Sequence, residues 1–384
     1  ERMGHYSAGS LKRRPLWVHA VSVGEVQAAW PLVREARRAG WVDPVFFTTI
    51  TRTGRQMAES LVGSEADQMA FYPWDAPWIA RRAIERVFPA AFVTVETEIW
   101  PNFVMELARE NIPAFIVNGR FSERSFRKAM KFRDFWRDVM SVFSLIMVRG
   151  EEDASRLMEL GLDPARVVVD GDCKVDALLM RREMTDKKAL RGSINASGAP
   201  VLIAGSTHRG EDIIVLEAFR EVRTDFPGVK MVIAPRHPER ADEVASMAKT
   251  FGAVSRLSRP DAPWDILVVD EVGRLFGLYG VSVSAFVGGS LVPRGGQNIL
   301  EPAAWGVPVR HGPHMEDFGP HAEALALVGA AAVVGSASEL ATMWKQDLSE
   351  GSDKGISGKS YVESLGGAAA LSWDRISGIL KVGE

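Results

Sequence analysis

Short apolar runs alternate along this chain with longer stretches whose apolar and charged residues recur at helical spacing. In the first half the runs predict strands at 16–21, 44–49, 91–95, 114–117 and 145–148. Between them the period shifts to that of amphipathic helices at 25–38, 54–61, 77–87, 101–110, 124–141 and 151–160. Such alternation predicts a parallel sheet covered by helices on both faces. Around 181–200 the pattern lapses into charged and small residues, which reads as a domain junction. It then restarts, with strands at 201–204, 230–234, 266–269, 284–287 and 307–310 and helices at 211–223, 240–251, 272–279, 300–305 and 320–328. The stretch 361–382 reads as one or two terminal helices that can pack back on the first domain. The expected fold is α/β, with two doubly wound domains (1–182 and 183–384) and a cleft between them lined by strand ends, where open sheets of this kind bind ligands.

Composition narrows the class without choosing a function. The 384 residues are 46% hydrophobic and 25% charged, as in globular proteins, and are long enough for two or three domains. A net charge of -3 gives no overall basic field and argues against nucleic acid as a partner. One cysteine, Cys173, excludes an internal disulfide and reads as a small, partly buried residue rather than a nucleophile. No apolar run reaches transmembrane length, roughly 18 residues. The sequence opens Glu-Arg-Met-Gly-His-Tyr without an initiator methionine, so an upstream membrane anchor is expected to be missing from it.

Candidate chemistry gathers at predicted strand ends. From Val287 to Val309 an apolar strand runs into a glycine loop, and a helix is expected to open near Asn298. Glycines allow close backbone approach, helix amides attract phosphate, and Glu301 can accept hydrogen bonds from sugar hydroxyls, which together suggest a nucleotide ligand. Ser206, Thr207 and His208 follow another strand with groups suited to phosphate. Arg236, in Ala-Pro-Arg-His-Pro, can pair with an anion in fork geometry. Each of these also reads as an ordinary βα loop with a capped helix.

In the first half Glu25 follows Ser22-Val-Gly and opens a helix, where the helix dipole is expected to keep it ionised as a general base or where it merely complements that dipole. Glu96 and Glu98 end another strand, and alternation in extended chain would put both on one side, as chemical or as capping acids. Lys174 reads as a loop lysine able to neutralise a phosphate or carboxylate, or simply solvated. The histidines lack metal-ligand spacing and no Asp-x-Asp stands at a strand end, so the chemistry is expected to need no metal. Between 120 and 137, seven Lys and Arg residues face two acids and interleave with Phe121, Phe126, Phe132, Phe135 and Trp136. That pattern suits an anionic membrane interface, or a solvated basic face over a buried aromatic one.

In combination these segments resemble the Kdo transferase family, which adds 3-deoxy-manno-octulosonic acid (Kdo) to the lipid A precursor. The resemblance runs over nearly the whole chain. It rests on Ser22-Val-Gly-Glu25, Thr53-Gly54, Glu96-Thr-Glu-Ile-Trp-Pro-Asn102, Gly205-Ser-Thr-His208, Pro235-Arg-His-Pro-Glu239, and Gly288-Gly-Ser290 through Glu301-Pro302. It implies a GT-B fold of two Rossmann-like domains, an architecture shared with some nucleotide-sugar epimerases, with CMP-Kdo as donor on the second domain. It implies Glu25 as general base, with Glu96 and Lys174 stabilising the transition state. Pro235 and Arg236, Val272-Gly273-Arg274, and Asn298-Ile299-Leu300-Glu301 match CMP-binding segments, beside Ser206, Thr207 and His208. Three positions depart from the family pattern: Arg274 where Glu is usual, Gln297 where His is usual, and Glu316-Asp317 before Phe318 where an Asn-Phe ending is common. The expectation is an inverting, metal-independent glycosyltransferase of lipopolysaccharide synthesis. It would take CMP-Kdo and the lipid A precursor at the cytoplasmic face of a bacterial inner membrane, with no separate cofactor. A nucleotide-sugar epimerase and a non-catalytic CMP-sugar-binding membrane protein are the alternatives.

Overall fold

A computed structural model describes the chain apart from positions 8–10, 12, 197, 261–262, 352 and 382–384. Ser197 in the expected junction and Val382 in the expected tail therefore lie outside the described residues. Two compact units form, one of Glu1–Ala177 with Leu365–Glu384 and the other of Leu178–Ser364.

The first unit is built on β1 (Leu16–His19), β2 (Val45–Thr49), β3 (Gln68–Phe71), β4 (Ala91–Val95), β5 (Ala114–Gly119), β6 (Leu145–Val148) and β7 (Val167–Val169). They lie parallel in the order β3-β2-β1-β4-β5-β6-β7. Leu16 pairs with Val45 on one side and Ala91 on the other, so β1 and β4 flank the point where strand order reverses. Trp17 anchors β1 in the core. Its ring meets Phe46 and Phe103 edge-on at 5.0 Å each, and its indole N–H donates to the Thr48 hydroxyl at 2.9 Å. The helix Ala368–Lys381 belongs to this unit. Trp373 stacks edge-on against Trp41 at 5.6 Å, and Asp170 accepts from Ser372 (3.0 Å) and Arg375 (2.8 Å).

The second unit carries β8 (Val201–Thr207), β9 (Lys230–Pro235), β10 (Val254–Arg256), β11 (Ile266–Val268), β12 (Ser284–Val287), β13 (Val309–His311) and β14 (Ala331–Val333). These are also parallel, in the order β10-β11-β9-β8-β12-β13-β14, with the reversal between β8 and β12. Its core includes the fully buried Phe219, Phe286 and Trp344. A buried ion pair ties β13 to the helix Ala337–Glu350: Arg310 donates to both Asp347 oxygens, and Ser284 on β12 donates to Asp347 at 2.6 Å.

Several predicted elements are corrected. β3, β7, β10 and β14 are not among the predicted strands, and all four lie at sheet edges: β3 and β10 carry polar residues that interrupt the apolar run, and β7 and β14 are apolar but only three residues long. The expected helix 124–141 is two, Glu123–Met130 and Arg133–Met140. Lys131 and Phe132 close the first through bonds to the carbonyls three residues back, and Phe132 leaves helical geometry. The break lets Phe126 and Trp136 both pack on the core. The expected junction holds ordered helix: Cys173–Met184, and Lys187–Ser193 capped by Asp186.

Candidate active site

In the first unit the acids and the lysine singled out in the sequence come together at the β1/β4 reversal. Three residues separate β1 from the helix Val23–Arg38, and Glu25 sits in its first turn. The Glu25 carboxylate accepts the Val21 amide at 2.8 Å and the Ser22 hydroxyl at 2.9 Å, and it is 7% exposed. Burial pushes its pKa up to about 7, the two hydrogen bonds pull against that, and the charges of Glu98 and Glu96 add to it. The expectation that the helix dipole keeps Glu25 ionised is therefore corrected: desolvation outweighs it.

Glu96 stands just past β4, with its amide donating to the Val117 carbonyl at 2.9 Å. Its φ of 62° is left-handed, so Glu96 and Glu98 do not share a side through extended alternation as expected. They converge because the chain turns there. Burial raises Glu98, and the Glu96 charge raises it further. Lys174 is corrected from loop to helix: it lies in the first turn of Cys173–Met184 and donates to Glu96 at 2.5 Å. A Cβ on Gly24 would stand 3.7 Å from the Lys174 ammonium, which places that charge beside the turn bearing Glu25. Asn118 and Asp172 fix the start of this helix, accepting the amides of Cys173 (2.8 Å) and Lys174 (2.9 Å). The Cys173 thiol is buried and pushed well up, a structural residue.

Beside Glu98 opens a cavity of about 390 Å³ lined by Phe121, Phe126, Trp136, Met140 and Leu157 together with the cations Lys128 and Arg156. It comes from the basic, aromatic segment, whose Phe132 and Phe135 are exposed. Among the described residues no helix is long and apolar enough to cross a membrane.

In the second unit the candidates gather around the β8/β12 reversal, with one residue that the sequence reading missed. Glu211 is wholly buried and accepts four backbone amides: His208 at 2.8 Å, Gly289 at 2.7 Å, Ser290 at 2.9 Å and Leu291 at 2.8 Å. One carboxylate so clamps the loop after β8 to the glycine loop after β12. The glycine-loop amides at 289–291 are thereby filled from inside the protein. A Cβ on Gly288 would meet the Ser206 carbonyl at 2.4 Å, so this close approach requires glycine. The signal in the sequence was an acid three residues after His208, which reads there as a first-turn capping group.

The other candidates divide by exposure. Thr207 is fully buried with its hydroxyl given to Asp212 at 2.6 Å, so only its neighbours Ser206 and His208 face outward. Pro235 is buried at the end of β9, while Arg236 is exposed and donates its amide to Thr207 at 2.9 Å. Val272 is exposed, Gly273 is left-handed at φ 82°, and Arg274 lies 3.5 Å from Glu271. The helix expected near Asn298 is one turn, Leu300–Ala304; Asn298 accepts the Leu300 amide at 3.1 Å, and Ile299 and Leu300 are buried. Burial raises Glu301, and the charges of Arg181 and Arg236 oppose this.

A family model described as 3-Deoxy-D-manno-octulosonic-acid transferase (kdotransferase) matches residues 1–177. The 3-deoxy-D-manno-octulosonic acid transferase of Haemophilus influenzae is 35% identical over 323 residues, 83% of this chain and 75% of that protein. The Aquifex aeolicus protein of the same name is 29% identical over 91% of this chain and 92% of its own length. Among solved structures, UDP-GlcNAc 2-epimerase from Neisseria meningitidis aligns with a TM-score of 0.61 at 14% identity, covering 94% of this chain and 100% of that one. A glycosyltransferase from Rickettsia africae aligns at 0.59 and 13%, covering 96% and 98%. The likeness to these two is one of fold, the GT-B type. The longer sequence matches carry more: this chain is a glycosyltransferase and belongs to the 3-deoxy-D-manno-octulosonic acid transferase family.

Proposed function

We propose that the protein transfers Kdo from CMP-Kdo to a lipid A precursor by a metal-independent displacement that inverts the anomeric carbon. Glu25 takes the proton from an acceptor hydroxyl, that oxygen bonds to the anomeric carbon, and the bond to the CMP phosphate breaks. The carrying observation is the buried Glu25 carboxyl at the strand reversal with Glu96 and Lys174 gathered beside it; burial lifts that carboxyl to about 7, the range in which a base is both available and strong enough at neutral pH. Glu96 and Lys174 stabilise the transition state. Their contact at 2.5 Å supports this by holding the ammonium in one place before reaction.

The donor lies on the second unit, against Ser206, His208, Arg236 and the segments 272–274 and 298–301. The apolar cavity beside Glu98 supports an acylated acceptor, and the cations in its lining, Lys128 and Arg156, suit acceptor phosphates. The work is done at the cytoplasmic face of a membrane, on an anionic surface that the segment 120–137 can meet.

Incubation with CMP-Kdo and lipid A precursor is expected to release CMP and extend the acceptor. Absence of both products rejects the reading. Glu25→Gln keeps shape and loses basicity, so turnover should fall by about 10²–10⁴ with the fold intact. Turnover like that of the unaltered protein would remove Glu25 from its role.

A further inference from the structure

A second cavity, of about 630 Å³, lies in the Leu178–Ser364 unit and is lined by His208, Arg209, His237, Arg240, Val292, Pro293 and Arg294. Its walls come from the loops after β8, β9 and β12, so it opens at the strand reversal where such sheets take ligands. Five of the seven lining residues are basic, and the charges are unequal in what they can offer. Arg240 is spent on the buried Asp212, and Arg209 donates to Glu243 at 3.0 Å. Arg294, on the glycine loop, has no ion pair among the described residues. The His208 and His237 rings meet edge-on at 6.1 Å across the cavity. The loop amides at 289–291 are already filled by Glu211 and are not available to an anion here, whereas the lining offers it basic side chains.

The cavity shares the glycine loop and His208 with the donor side of the site, but Arg236 and the segments 272–274 and 298–301, proposed above to hold the nucleotide, lie outside its lining. The sugar of the donor carries its own negative charge, because it is an acid. We propose that this cavity binds the carboxylate of the donor sugar, with Arg294 as the principal ligand and His208 and His237 beside it, and so selects an acidic sugar over neutral ones. The proposal rests on the reading of the donor as CMP-Kdo. A guanidinium presents two parallel N–H groups to the two carboxylate oxygens, a match that a neutral sugar lacks.

The test compares the donor with free CMP, which has the phosphate and lacks the sugar. For Arg294→Gln the KM for CMP-Kdo should rise about ten- to a hundredfold, while inhibition by CMP stays unchanged. His237→Asn should move the donor KM in the same direction by less. Arg294 is exposed, so an unaltered melting temperature is expected and serves as the control for folding. If CMP inhibition weakens in step with the donor KM, the cavity serves the phosphate and the proposal fails. It fails equally if only the acceptor KM moves, or if nothing moves. An unaltered protein that does not turn over CMP-Kdo is a different outcome, and removes the donor reading itself.

Discussion

At the scale of single residues, the decisive contest is between burial and hydrogen bonding at Glu25. Two donors favour its carboxylate, yet desolvation wins and lifts the group to about 7. A base must be deprotonated to act, so kcat/KM should climb with pH on a limb centred near 7, and a flat profile between pH 6 and 8 would exclude Glu25 as the base. The folded state binds this proton more tightly than the unfolded chain does. Its contribution to stability is therefore present at low pH and is lost as pH rises from the ordinary 4.5 through about 7. The sequence made Glu25 visible as an acid at a strand end, and it gathered Glu96 and Lys174 as well. It did not reveal the lift at Glu25, because desolvation depends on neighbours distant in the chain. Nor did it reveal the Glu96–Lys174 contact, which joins residues 78 apart.

At the scale of elements, central strands were legible and edges were not. β1, β4 and β8 are buried along nearly their whole length and read as continuous apolar runs. The missed β3 and β10 alternate with partly exposed positions. Loops were legible in composition only: the glycine run after β12 announced a close backbone approach but not its partner. Glu211 is that partner, and it binds two loops into one rigid element. Replacing it by Gln leaves one acceptor oxygen, so two of the four amides lose theirs. Urea unfolding of Glu211→Gln should show a loss of about 2–4 kcal/mol. A loss below about 0.5 kcal/mol would mean that the loops hold together without it.

For the molecule as a whole, charge is distributed against its sum. The net value is -3, yet Arg124, Arg127, Lys128 and Lys131 frame one open pocket with only Glu123 among them. On the membrane reading, neutralising Arg124, Lys128 and Lys131 together should remove about 3 kcal/mol of attraction to vesicles rich in anionic lipid, roughly a hundredfold in partition. The loss should shrink as salt rises. Equal partition of the two proteins at low salt would take the membrane away from this face. The alternation of strand and helix already implied two sheets in sequence order, whereas the edge strands that bring each to seven emerged only from the assembled sheets.

The helix Ala368–Lys381 is packed into the unit that begins the chain. A ribosome delivers residues in order, so the strands β1 to β7 must wait, with the Trp41 and Asp170 faces uncovered, until nearly two hundred further residues have been made. The half that holds Glu25 is thus begun before the other half and completed after it. Full packing of the Glu25 half is a late event in synthesis, and a nascent chain stalled after β14 would carry both sheets while the first still lacked its last helix.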